Sequence, residues 1–533
     1  MCLISMLVLV FSGCDLGPTN VESGNQAQVL HLGNGTEPQD LDPHIVTGVT
    51  EHNIISSLLE GLVSENPETL APVPGMADSW AVSADGLTYT FFIRDNAFWS
   101  NGDPVTADDF VWSWQRLLSP ALAAEYAYQL YPVKNARAFN KGTLIEFSQV
   151  GVTALDARTL EVVLENPTPY FLSLLAHYST YAVHPQTILK YGAMDERGTK
   201  WTRPGNFVGN GPFQLKSWRL NYLIEVEKNP GYWDAETVRL SAIRFYPIDN
   251  AQTEERMFRT GAIHATSTTP SDKISVYQTE FPDRISISPY LGTYFYRFNV
   301  SRPPLDDARV RKALSMAIDR QAIVDAVTKG GQLPAYSFTP PDTQGYFPPP
   351  SPISYDIHQA KQLLTDAGFK DGAGFPELEL LYNTSEGHRR IAEAIQQMWK
   401  TSLGINIRLV NTDWKVYLSR TNKLDYDISR AGWIGDYPDP NTFLDMMVSE
   451  GGNNRTGWHN SAYDQLIAEA ASETDQQARY HTFQRAEQIL DEEAPLLPIY
   501  TYTRVALRVP SVANWFANIL DHHPYKYVYL RHP

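Results

Sequence analysis

The stretch 378–410 reads LELLYNTSEGHRRIAEAIQQMWKTSLGINIRLV. Leu378 to Tyr382 is a run of strand length, Gly387 to Leu403 reads as a helix ending near Gly404, and Ile405 to Val410 is a second strand. Strand, helix and strand in this order predict an α/β fold, a mostly parallel sheet covered by helices. The same alternation runs outward from here. Asp306 to Val327 is helical in pattern, Tyr355 to Ala367 is a helix stopped by Gly368, and Tyr463 to Ala471 and Gln477 to Ile489 are two more helices. Nearer the N-terminus, Leu87 to Ile93 and Leu160 to Leu164 alternate as strands. Between them Thr106 is placed to cap a helix that starts with Asp108 and Asp109 in its first turn. The Pro-rich stretch Pro340 to Pro352 is a connector.

At 533 residues the chain exceeds the roughly 250–300 residues at which a single core stops growing, so two or more lobes are expected. It holds 29 Tyr, 22 Phe and 12 Trp, which suit either several large cores or a cleft walled by rings. The net charge of −17 excludes a basic nucleic-acid face and gives no reason for attachment to anionic lipid. Leu3 to Phe11 is too short to span a bilayer, which takes about 20 apolar residues, and has the length of a signal-peptide core. Phe11-Ser12-Gly13-Cys14 follows and is similar to a bacterial lipobox, with Phe11 where Leu is usual and no Lys or Arg before it. Either an ordinary cleavable signal or lipidation of Cys14 fits. If Cys14 takes lipid and Cys2 leaves with the signal, no cysteine remains for a disulfide. Residues 15–27 are polar, carry Gly and Pro, and read as a flexible tether.

No G-x-S-x-G, phosphate loop or H-E-x-x-H occurs, and Gly205 to Gly211 lacks dinucleotide spacing. His522-His523 fits a solvated turn better than a metal site. Nothing favours catalysis, and no cofactor or metal is expected. Arg430-Ala431-Gly432-Trp433-Ile434-Gly435-Asp436-Tyr437 sets an Arg and an Asp on either side of a Trp. This is a strand end with a solvated Asp, or one wall of a site for a zwitterion.

Several blocks decide between those two. They are Glu37 to His44, Leu59-Glu60-Gly61-Leu62, Ala77-Asp78-Ser79-Trp80, Trp99 to Phe110, Asn210-Gly211-Pro212-Phe213, Asn229 to Trp233, Arg309 to Leu314 and Leu381 to Ser385. In this order, from about Leu30 to the C-terminus, they resemble the oligopeptide-binding proteins of bacterial peptide ABC transporters, in the peptide/nickel-binding group of extracytoplasmic solute-binding proteins. The resemblance implies a two-lobed periplasmic-binding-protein fold (type II, cluster C-like) with a third, additional domain, closing on ligand about a hinge. It implies a signal peptide over 1–13, a lipidated tether over 14–27, and a discontinuous first lobe of 28–59, 185–289 and 504–533. The additional domain would cover 60–184 and the second lobe 290–503.

The implied function is an extracytoplasmic receptor, anchored through Cys14, that binds short peptides and delivers them to membrane permease subunits as a monomer. Cell-wall peptides, nickel chelates or haem are alternative ligands, peptide sensing an alternative role, and a secreted peptide hydrolase the reading from another class. The resemblance assigns Asp436 to the peptide amine, and Arg430 and His388 to its carboxylate. It assigns main-chain pairing to Thr47-Gly48-Val49 and Gly432-Trp433-Ile434, and cleft walls to Tyr126, Trp414, Trp433 and Tyr502. For His388 a surface position, and for each wall aromatic a core position, fit equally well. Three departures stand out: Thr47 replaces an acidic cleft residue, Gly292 and Ile434 replace cysteines of some members, and Thr421 stands where some relatives carry a carboxylate-binding Arg, with Arg420 beside it.

Overall fold

The structure is a computed structural model and describes residues 17–449 and 451–532. The signal sequence and Cys14 lie outside the described residues. Three sheets organise the rest. The first has four strands, in the order Val29–Gly33, Ala242–Tyr246, Leu223–Lys228 and Phe213–Arg219, with only the first pair parallel. A second, wholly antiparallel sheet orders Ala77–Val82, Thr88–Ile93, Thr159–Val163 and Val152–Asp156. The third and largest has six strands, in the order Leu333–Pro334, Leu496–Leu507, Ile285–Phe298, Ile428–Ile434, Leu378–Asn383 and Ile407–Thr412.

The opening stretch folds as its pattern requires. Helix Glu386–Leu403 buries Ile391, Ala392, Ile395, Trp399 and Leu403, one stripe at helical spacing, and Gly404 closes it in the left-handed conformation at φ 72°. The flanking strands Leu378–Asn383 and Ile407–Thr412 are parallel, as a helical crossover demands. Leu378–Asn383 also pairs parallel with the start of Ile428–Ile434, and the expected parallel character ends there. Of the five pairings in the large sheet, those joining Leu496–Leu507, Ile285–Phe298 and Ile428–Ile434 are antiparallel, as is the short edge strand's. These partners lie far apart in sequence, and local periodicity carries no information on strand direction.

Two long strands link the sheets. Ile285–Phe298 and Leu496–Leu507 pair from Ile285 with Leu507 to Pro289 with Thr503, shift register, and resume at Thr293 with Thr501. Bridges from Leu32 to Ala265 and from Ala265 to Arg508 tie the ends of this ribbon to the first sheet. The lobe boundaries expected at 289/290 and 503/504 therefore fall inside continuous strands, beside the register shift.

Local corrections follow from packing. The expected tether is helical over Asn20–Ala27, where Thr19 and Glu22 form a capping box and Val21 N–H donates to Gly261 O at 2.9 Å. The helical pattern of 306–327 breaks into Ala308–Met316 and two short turns from Arg320. Thr106 and Asp109 do start the helix Ala107–Leu118, the carboxylate accepting from both Thr106 N–H and its hydroxyl. From that helix the fully buried Arg116 reaches Asp42 at 2.5 Å and His44 at 2.9 Å, which fixes the segment leading to Thr47.

Candidate functional site

A cavity of about 520 Å³ opens between these units, walled by the large sheet on one side and by residues 47–53, 126, 177–178 and 267–274 on the other. Thr47, Gly48, Val49, Tyr126, His388, Trp414, Arg430, Gly432, Trp433, Ile434, Asp436 and Tyr502 all lie on its wall.

Strand Ile428–Ile434 forms its floor. One edge pairs with Ile285–Phe298 along its full length, Gly292 opposite Ile434 through Phe298 opposite Ile428. The other edge pairs with Leu378–Asn383 only at Ile428 and Ser429. Among the described residues that edge has no strand partner from Arg430 to Ile434; Arg430 O already accepts from Tyr417 OH, and the main chain beyond it is open to an extended ligand. Gly432 makes room here: a Cβ would stand 2.5 Å from the Tyr502 hydroxyl and 3.2 Å from Arg430 Nη2, so those side chains would have to shift. On the opposite wall Thr47 and Gly48 are not helical, while Val49 already begins the helix Val49–Leu58.

Asp436 lies just past the strand's end and is buried, not a solvated strand-end residue. Its main-chain N–H donates to Thr442 Oγ1 at 2.9 Å. Tyr126 OH donates to Oδ1 at 3.1 Å, Gln129 Nε2 donates to Oδ2 at 2.9 Å, and His177 Nε2 stands 3.5 Å from Oδ1. Burial pushes the carboxyl up to about 7, against the hydrogen bonds from Tyr126 and Gln129. Burial also holds His177 down to about 3, so His177 does not neutralise it.

Arg430 sits at the other end of the open edge. It donates to Tyr502 OH at 2.8 Å and to Asn383 Oδ1 at 3.3 Å, and lies 4.7 Å over the Tyr294 ring. Among the described residues it has no carboxylate partner, and its Nε has no acceptor. His388, in the first turn of helix Glu386–Leu403, faces the cavity 3.4 Å from Tyr294 OH. Burial and the charge of Arg430 hold it well below the usual imidazole range, and hence neutral. Trp414 donates to Glu51 Oε1 at 3.4 Å across the cavity. Trp433 is nearly buried and donates to Thr442 O at 2.7 Å, so its ring is as much a floor support as a wall.

Arg420 is turned away, paired with Glu379 at 2.6 Å and Asp425 at 3.1 Å, while Thr421 is buried in its own helix. Neither lines the cavity. His522 and His523 are not in a solvated turn: His522 accepts a place on the cavity wall with Nδ1 2.7 Å from Glu65, and His523 Nε2 lies 3.0 Å from Asp521. Among the described residues no group of three or more His, Cys, Asp or Glu is arranged to hold a metal. The supports that sequence did not reveal are Gln129, His177, Asn383 and Tyr294. None belongs to a local charged motif, and only folding brings them to Asp436 and Arg430.

A two-lobed sheet scaffold, a strand ribbon joining the parts and a polar-ended cleft between them define a solute-binding protein. Residues 71–455 match the bacterial extracellular solute-binding proteins, family 5, middle region, and the chain belongs to that family. It is 38% identical to the periplasmic murein peptide-binding protein MppA of Escherichia coli, over 97% of this chain and 95% of the relative. It is equally 38% identical to the periplasmic oligopeptide-binding protein OppA of Salmonella typhimurium, over 93% and 91%. The structure of Haemophilus influenzae OppA in complex with the peptide RPPGFSPFR is similar at TM-score 0.90 and 35% identity, covering 95% of this chain and 99% of that one. For MppA, one structure gives a TM-score of 0.90 and its unliganded open form 0.64, at the same 38% identity and with nearly the same coverage. The present arrangement is thus far from that open form. Among the described residues no helix is long and apolar enough to cross a membrane.

Proposed function

We propose that the chain is the peptide receptor of an ABC importer, holding a short peptide extended along strand Ile428–Ile434. The observation that carries this is the open strand edge between a buried carboxylate and a cation that has no carboxylate partner among the described residues. A ligand ammonium at Asp436 meets the need of a buried carboxylate for a charge partner. A ligand carboxylate meets the same need at Arg430, whose planar fork grips two oxygens. Amine at Asp436 and carboxylate toward Arg430 make the ligand antiparallel to the strand. Main-chain bonding along Gly432 to Ile434 and past Thr47 to Val49 gives affinity independent of side-chain identity. His388 serves carboxylates beside Arg430, and Tyr126, Trp414, Trp433 and Tyr502 wall the ligand.

The lobes close about the Ile285–Phe298 and Leu496–Leu507 ribbon, with 60–184 riding on the first lobe. Lipid on Cys14 tethers the receptor outside the cytoplasm. A murein-derived peptide is the second reading for the same site, since the identity to MppA equals that to OppA. Mass spectrometry of ligand retained on native purification separates the two.

Calorimetry with a free and an N-acetylated tripeptide tests amine capture. Acetylation, or Asp436→Ala, is expected to cost about 2–5 kcal/mol of binding, the range for removing one partner of a buried charge pair. Equal affinity for free and capped peptide would sink the assignment.

A further inference from the structure

Beside Asp436 the cavity wall carries two imidazoles that the receptor reading leaves unused. His52, on helix Val49–Leu58, and His522, in the C-terminal segment, stack with ring centroids 4.4 Å apart. His522 is locked from behind: Nδ1 is 2.7 Å from Glu65 Oε2, and its main-chain N–H donates to Asn518 Oδ1 at 3.1 Å. Its Nε2 and both ring nitrogens of His52 have no protein partner among the described residues, and none is among the buried unpartnered atoms. The pair borders the main cavity and a small polar recess of about 50 Å³ behind it. A run of ring contacts joins it to the amine end: His52 to Tyr178 at 5.4 Å, Tyr178 to His177 at 4.3 Å, and His177 to Asp436 at 3.5 Å.

Building on the amine site at Asp436, we infer that His52 and His522 form a specificity pocket for an acidic side chain on the amino-terminal residue of the bound peptide. With Nδ1 engaged by Glu65, the charged ring of His522 has one N–H left to donate, and no protein acceptor among the described residues meets it. His52 offers a second donor at stacking distance. A ligand carboxylate satisfies both with charge-assisted bonds. A ligand lysine or arginine brings a cation against His522, and an amide forfeits the charge. The carboxylates facing the pair are already taken: Glu65 by His522, Asp521 by Arg504 at 2.5 Å and by His523, and Asp436 by the ligand amine.

Charge on His522 sets the pH dependence. Burial opposes its protonation, but Glu65, then Asp521 and Asp436, hold it above the usual imidazole range. His52 and His177 are kept neutral by burial, His523 is likewise held down by burial, and Glu60 in the recess is paired with Lys526 at 3.0 Å. A raised histidine is charged at low pH and loses its charge as pH rises through its folded value, so acid preference is present in mild acid and fades in base.

The test is calorimetry on the purified protein with Glu-Ala-Ala and Gln-Ala-Ala. The Kd ratio in favour of Glu is expected to be about tenfold at about pH 6 and to approach one by about pH 9. Loss of the ligand's own ammonium at high pH affects both peptides alike and cancels in the ratio. His522→Gln is expected to bring the ratio toward one at both pH values. Should that variant not fold, the wild-type pH series decides alone. Equal affinity of wild-type protein for both peptides at the lower pH would overturn this inference and leave the receptor standing. Binding of neither peptide would overturn the receptor reading itself.

Discussion

Asp436 concentrates the chemistry of the site in one carboxyl. Folding buries it and lifts it to about 7, far above an exposed carboxylate. An acid with a raised folded value favours the fold while protonated. The ligand-free protein therefore loses stability as pH rises from about 4 to about 7, where the unfolded chain ionises freely and the folded one does not. A bound ammonium reverses the balance, because it needs the ionised form. Peptide affinity should weaken about tenfold per pH unit below about 7 and level off above it, with proton release on binding in mild acid. Calorimetry in buffers of different ionisation enthalpy measures that release directly. A pH-independent affinity between about 5 and 7 would mean that Asp436 is not the amine's partner. The sign is opposite to that of the Glu-over-Gln preference, so absolute affinity and selectivity separate the two groups.

At the scale of elements, the strand Ile428–Ile434 matters more than any single side chain it carries. Its open edge depends on Leu378–Asn383 diverging from it after Leu381 while staying paired with Ile407–Thr412, and Gly432 leaves room for the Tyr502 hydroxyl. Gly432→Ala would drive a methyl into the Tyr502 hydroxyl and unseat the 2.8 Å bond to Arg430. Overpacking of this kind costs about 1–3 kcal/mol, here partly as stability and partly as peptide affinity. Thermal unfolding with and without peptide divides the cost; unchanged affinity would show that Tyr502 and Arg430 need not hold their present positions. Elements with strong local signals were legible in the sequence: the helix ending at Gly404, the Thr106 start, the strands at 88–93 and 159–163. Strand direction in the large sheet was not, because antiparallel pairing of Leu496–Leu507 with Ile285–Phe298 is decided some two hundred residues apart in the chain. The helix Asn20–Ala27 was also missed, since its polar sequence is helical by virtue of a capping box and contacts with Gly261. The residues around the cleft were legible through family resemblance and not through local physics. His522 shows the limit: two histidines beside an acid read as solvated until the fold sets Glu65 against one and Asp521 against the other.

For the whole molecule, the question is what keeps the two walls of the cavity together. Tyr126 and Gln129 reach Asp436 from one side, Glu51 meets Trp414, and Arg390 Nη1 donates to Ser271 Oγ at 3.2 Å. These polar bonds are each worth on the order of 1 kcal/mol net, and ring contacts add to them, Tyr170 stacked on Tyr437 at 5.3 Å and Tyr126 at 6.3 Å from Trp433. The register shift between Pro289 and Thr293 interrupts the long ribbon joining the lobes, and so supplies a place to bend. On the proposed reading ligand adds to these contacts by binding both walls at once, and so favours the closed arrangement. Protein freed of ligand by unfolding and refolding is expected to be more extended in X-ray scattering, in the sense of the open form of MppA, and to contract on adding a tripeptide. Peptide at about a hundred times its Kd should stabilise the protein by about 2.7 kcal/mol and raise the unfolding midpoint accordingly. Asp436→Ala should reduce both the contraction and the shift at that concentration, as the loss of about 2–5 kcal/mol of binding requires. Contraction without any thermal stabilisation would separate closure from binding and refute the view that the ligand itself bridges the lobes.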